Sequence, residues 1–113
     1  MNKEKSWKLY ALHILDCIEK IRAIQKRGDV FSDVVLYDAV LRNLQTLSES
    51  TRRLPKHLRQ EHAVVPWEQI SGFRNVIAHD YLGDINPTTV RVVIEVDLNT
   101  LEPVIKSMLE LVE

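Results

Sequence analysis

Only one cysteine, Cys17, stands in the chain, which excludes an intrachain disulfide and a cysteine-built zinc centre. Three glycines and four prolines leave few places to break regular structure, so long elements with short connections are expected. No apolar run approaches the roughly 18 residues that a membrane-spanning helix needs. The opening Met1-Asn2-Lys3-Glu4-Lys5-Ser6-Trp7 lacks the apolar stretch of a signal peptide, and the expected location is the cytoplasm. Fifteen Lys and Arg against sixteen Asp and Glu give a formal net charge of −1. Such a balance argues against holding nucleic acid by bulk electrostatics, so any such contact must be local.

What remains is ordinary globular material, 45% hydrophobic and 27% charged in 113 residues, expected to form one domain over residues 1–113. Its periodicity is helical. The first helix is expected from about Ser6 to Arg27, with Leu9, Leu12, Ile14, Leu15, Ile18, Ile21 and Ile24 as its apolar stripe and Gly28 after its last turn. Cys17 falls inside that stripe as a small core residue, and His13 near its flank. Ser32 is a suitable N-cap for a second helix carrying Val35, Leu36, Ala39, Val40, Leu44 and Leu47 onward to Leu54, which Pro55 ends or kinks. A third helix is expected from Trp67 to about Leu82, with Pro66 at its first position and Gly83 as its C-cap. Residues 88–98 are two-sided. Threonines and valines favour strand, whereas Val90, Val93, Ile94, Asp97 and Leu98 follow helical spacing, and one strand would lack a partner. The helical reading is preferred. A last helix, Asn99 to Val112, admits Pro103 in its first turn. The expected fold class is all-α, an up-and-down bundle of four or five helices.

The third helix carries the chemistry. At about 100° per residue, Ile70, Phe73, Val76 and Ile77 gather on one side, while Arg74, Asn75, Ala78, His79 and Tyr81 spread over the opposite arc. Ser71 and Ala78 keep the middle of that arc small, so another helix can approach closely. A two-fold copy of the same helix would bring both sets of polar residues into one cleft, with a plain solvated polar face as the alternative. Cleaving RNA through its 2′-hydroxyl takes a base, an acid and positive charge on the phosphorane. Histidine titrates near neutrality and serves as either base or acid. Arginine clamps phosphate oxygens with permanent charge, and Asn75 can orient the imidazole or a phosphate oxygen. Two histidines in a dimer suffice for both proton transfers, leaving a 2′,3′-cyclic phosphate and a 5′-hydroxyl without any metal or other cofactor.

The stretch Trp67-Glu68-Gln69-Ile70 followed by Arg74-Asn75 and His79-Asp80-Tyr81 resembles the R-N-x-x-x-H-x-Y signature of HepT-like HEPN ribonuclease toxins. Tyr37-Asp38-Ala39-Val40-Leu41-Arg42-Asn43-Leu44 is similar to that family's second helix. The resemblance covers most of the chain. It implies a HEPN bundle, a homodimer, and metal-independent RNA cleavage by Arg74 and His79 in a type VII toxin–antitoxin module. It also implies a partner, an MntA-like minimal nucleotidyltransferase antitoxin that transfers AMP to the motif tyrosine, here Tyr81. Bulk and negative charge beside Arg74 would then block a phosphate-binding cleft. Two stretches depart from the family. Its Ile-Gly-Glu-Ala is Leu47-Ser48-Glu49-Ser50 here, matching only at Glu49, and its Asp-Leu-Pro is Asp97-Leu98-Asn99.

Arg52, Arg53, Lys56, His57 and Arg59 form the one dense basic run; Arg52, Arg53, Lys56 and Arg59 are candidate RNA-phosphate contacts, with a solvated helix end as the plainer explanation. His57 and His62 lack the spacing and carboxylate company of a metal site. Trp67 reads as a core anchor. A different function class, a noncatalytic substrate-binding subunit of a nucleotidyltransferase, fits a small helical protein but leaves Arg74 and His79 without work.

Overall fold

The computed structural model describes residues 3–80 and 85–111, with side chains for 7–79 and 85–110. Its elements are α1 (Lys3–Lys26), α2 (Val34–Thr51), α3 (Lys56–Glu61), α4 (Trp67–Asp80), α5 (Pro87–Val92), a π-helical turn (Val93–Asp97) and α6 (Leu98–Leu111). The described chain is therefore all-helical, and residues 88–98 are helix rather than strand. None of the described helices is long and apolar enough to cross a membrane.

α2 lies against α1 on one side and α4 on the other, and α6 closes the bundle on α1. The seam of α1 is Trp7, Ala11, Ile14, Ile18 and Ile21, alternating steps of four and three. It meets Val40, Leu44 and Leu47 of α2, Ile70, Phe73 and Ile77 of α4, and Leu98, Leu101, Ile105 and Met108 of α6 in one apolar cluster. The expected α1 stripe was too broad. Leu9 and Leu12 are 70% and 54% exposed, because each lies more than a third of a turn away from the Ile14–Ile18 seam. Trp7 takes the place they were given. Val35 of the expected α2 stripe is likewise exposed.

Helix ends depart from expectation for local reasons. Asp33, not Ser32, caps α2, its carboxylate accepting from the Val35 and Leu36 amides. Ser32 is drawn instead into a turn in which its hydroxyl donates to Asp29 at 2.9 Å and the Phe31 amide donates to the same carboxylate. That turn, led by the Phe31 amide, holds the Asp29 carboxyl below its ordinary pKa. α2 ends at Thr51, and Leu54 is buried beyond it. Pro66 precedes α4 rather than opening it, its carbonyl receiving the Ile70 amide at 3.0 Å. Trp67 anchors that entry, buried and donating its indole N–H to the His62 carbonyl. The expected continuation of α4 to Leu82 and the cap at Gly83 lie outside the described residues.

α5, the π turn and α6 follow one another without a break from Pro87 to Leu111, so Pro103 lies inside a long helical rod and not in a first turn. Within the π turn the Leu98 amide reaches back to Val93, which takes the α-helical donor away from the Ile94 carbonyl. Arg22 of α1 supplies one at 3.1 Å. The same guanidinium holds the Asn99 side-chain oxygen, and the Asn99 amide group donates to the Glu95 carbonyl. Pro103 offers no N–H to the Asn99 carbonyl, so this cluster clamps the rod where its backbone pairing is thinnest.

Candidate active site

α4 presents the two faces its sequence implies. Ile70, Phe73 and Ile77 are buried, whereas Asn75, Ala78 and His79 are exposed and Ser71 and Arg74 half-buried. Arg74 and His79 are five residues apart, roughly 140° around the helix and with Cα atoms about 9 Å apart. They border one solvent-facing strip whose floor is Ser71 and Ala78. Within one chain their side chains therefore diverge.

Arg74 leans toward the C-terminal end of α2. Its Nε stands 3.7 Å from Glu49 Oε2, and the two line a cleft of about 360 Å³ with Arg52 and Arg53. Three guanidinium groups thus share one opening with one carboxylate, a local concentration of positive charge that the overall balance of −1 conceals. The charge suits an anion with several oxygens, such as a phosphodiester. At the other end of the same α2–α4 groove, Ile77 and Ala78 border a hollow of about 500 Å³ with Asp38, Arg42 and Gln45.

Of the expected phosphate contacts, Arg52 and Arg53 are brought to Arg74. Lys56 and Arg59 are not; they line a separate hollow with Pro66, Trp67 and Glu68, and the Arg59 Nε is buried with no hydrogen-bond partner among the described residues. Tyr81 lies outside the described residues. The residue that reading by motif passed over is Glu49, although it is the one position of its turn that matches the family pattern. Among the described residues no three His, Cys, Asp or Glu side chains come together to hold a metal ion. Cys17 is buried, its thiol pushed up in pKa chiefly by that burial, as befits a core residue.

Fold and strip together define an all-helical protein with an arginine and a histidine spaced R-x4-H along one exposed helix face, beside an arginine-rich cleft. Residues 14–108 match the profile described as "Ribonuclease HepT-like", and the chain belongs to that family. A relative from Caldanaerobacter subterraneus subsp. tengcongensis, named "putative RNase", is 34% identical over 105 residues, 89% of this chain and 92% of its own. A Methanocaldococcus jannaschii protein named "gamma-glutamylcyclotransferase and putative RNase" is 32% identical over 82 residues, 70% of this chain and 37% of that longer protein. One from Thermococcus cleftensis, named "probable ribonuclease HepT", is 26% identical over 83 residues, 71% of this chain and 76% of its own. No solved structure matches the chain.

Proposed function

We propose that this protein is a metal-independent RNA endonuclease whose site forms when two copies bring their α4 strips together, and that it acts as the toxin of a toxin–antitoxin module. The observation that carries the reading is that Arg74 and an exposed His79 border one solvent-facing strip of α4, the arginine opening onto the Arg52–Arg53 cleft. Arg74 grips the scissile phosphate and offsets the charge that grows on its oxygens. One His79 takes the 2′-hydroxyl proton, and the partner subunit's His79 gives a proton to the departing 5′-oxygen. The 2′-oxygen to phosphorus bond forms as the phosphorus to 5′-oxygen bond breaks, leaving a 2′,3′-cyclic phosphate and a 5′-hydroxyl. Asn75, one turn from His79, holds the imidazole or a phosphate oxygen in place. All the charge and proton transfer this reaction needs comes from side chains.

Regulation follows from charge. An MntA-like nucleotidyltransferase would transfer AMP from ATP to the Tyr81 hydroxyl with release of pyrophosphate, and the added negative charge would silence the protein by competing with RNA phosphate for its arginines. Purified protein should cleave single-stranded RNA to cyclic-phosphate ends with undiminished rate in EDTA. Failure to cleave, or loss of cleavage in chelator, overturns the mechanism. Intact mass after co-expression with the antitoxin should rise by one or more AMP units, and the rise should vanish in Tyr81→Phe. A silenced but unmodified toxin would remove Tyr81 from the account.

A further inference from the structure

We infer that the hollow between α1 and the C-terminal half of α2 is a nucleobase subsite, taking an unpaired base of the RNA whose phosphate lies at Arg74; this rests on the ribonuclease reading. The hollow holds about 530 Å³, within the range of small-molecule sites, and is lined by Leu9, Tyr10, His13, Thr46, Glu49, Ser50 and Arg53. Two of these, Glu49 and Arg53, also wall the Arg74 cleft, so the two hollows lie on either side of one ridge. Arg53 sits with its guanidinium 5.9 Å from the centre of the Tyr10 ring, linking an aromatic surface directly to the phosphate-attracting group.

The lining has the composition a base requires. Tyr10 is 38% exposed and Leu9 is 70% exposed, so the aromatic ring and an apolar wall both face solvent although the core leaves them unused. Splayed-out RNA bases stack on such rings and on arginine planes, while their edges take hydrogen bonds. Here His13 and Glu49 offer hydrogen-bonding groups around the rim. The rim is also fixed from beneath. Cys17 Sγ stands 3.5 Å from His13 Nε2 and 3.4 Å from the Thr46 hydroxyl, and that hydroxyl is 3.2 Å from the Asn43 carbonyl. An apolar partner protein would be poorly matched by an opening whose far wall is Arg53 and Glu49. A strand carrying phosphate and base side by side meets both halves.

The test uses the full chain carrying His79→Ala, so that RNA is bound without being cut, and compares two labelled single strands of equal length, one ordinary and one built of abasic ribose-phosphate units. Tyr10→Ala and Leu9→Ser should each weaken the ordinary strand about 5- to 50-fold and leave the abasic strand within about twofold. Tyr10→Phe, which keeps the ring, should bind as the parent does, and helical circular dichroism should be unchanged throughout. Undiminished binding by Tyr10→Ala and Leu9→Ser, or equal loss of both strands, overturns the subsite. So does a change in sedimentation on Tyr10→Ala, which would make this face a contact between copies of the chain. If the parent binds neither strand, the ribonuclease reading itself falls; if it binds both and only the Tyr10 effect is missing, the subsite alone falls.

Discussion

Arg74 stands 3.7 Å from Glu49, and both side chains remain partly open to solvent, so the pair contributes little to folding. On the proposed reading its meaning is functional, since an RNA phosphate would have to displace the carboxylate or share the guanidinium. Arg74→Ala and His79→Ala are each expected to abolish RNA cleavage while changing stability by no more than about 0.5 kcal/mol. Cleavage at the wild-type rate by either variant would place the site elsewhere. Glu49→Gln removes the one negative charge from a cleft of three arginines and keeps the side chain's shape. Affinity for RNA should rise about two- to fivefold at low salt, and the gain should shrink as screening increases. A fall in affinity instead would show that the carboxylate's task is to hold Arg74 in position.

Asp97 lies on the buried Val90–Leu98 side of its rod, only 5% exposed, where Gln69 of α4 donates to its carboxylate at 3.1 Å. Burial raises its pKa. A carboxyl raised in this way binds its proton more tightly folded than unfolded. Its contribution to stability is therefore full below its unfolded pKa, near 4, and lost as pH rises through the higher folded value. Asp97→Asn should accordingly raise the melting temperature at pH 7, by an amount that shrinks toward pH 3; a variant less stable at neutral pH would mean that the ionised carboxylate is itself required there. Arg22→Ala should lower stability by about 1 kcal/mol, because the Ile94 carbonyl loses its replacement donor; an unchanged denaturant midpoint would show that water serves as well. Asp97 already falls on the Val90–Leu98 face by spacing, but the π turn and its Arg22 partner were not legible in the sequence. A π turn leaves the helical spacing of Val90, Ile94 and Leu98 almost intact, and Arg22 reads as a surface residue until α1 is seen against the rod. By contrast, the two faces of α4 follow from helix geometry alone, so the Arg74–His79 strip could be read directly from residues 70–79. Glu49 could not be joined to Arg74 without knowing how α2 crosses α4. Leu9 and Leu12 misled for a related reason, since apolar residues at helical spacing mark a face without saying which part of it the neighbours cover.

Under the proposed mechanism, two copies of the chain, each with diverging Arg74 and His79, would make a site that one copy does not. The strip between those residues is floored by Ser71 and Ala78, and Gly72 lies in line with His79 two turns before it. A Cβ added at Gly72 would meet nothing within 4 Å, so in an isolated chain Gly72→Ala should stabilise α4 by about 0.5–1 kcal/mol. Where a second α4 packs on this strip, Ala78→Trp should instead force the copies apart, and sedimentation should report a monomer without activity. The sharper expectation concerns stoichiometry. If each site draws its base from one subunit and its acid from the other, a dimer pairing a wild-type chain with a His79→Ala chain lacks one of the two proton transfers. Co-expression in equal amounts should then leave roughly one quarter of the dimers intact, because random pairing makes both chains wild type with that frequency. Cleavage by the mixture, measured per total dimer and compared with wild type alone, should fall to about that fraction. A fall to only about one half would mean that a single histidine serves each site, and that the second proton is handled by water or another group. The two-histidine mechanism would then have to be given up, while Arg74, His79 and the cleft beside them would keep their roles.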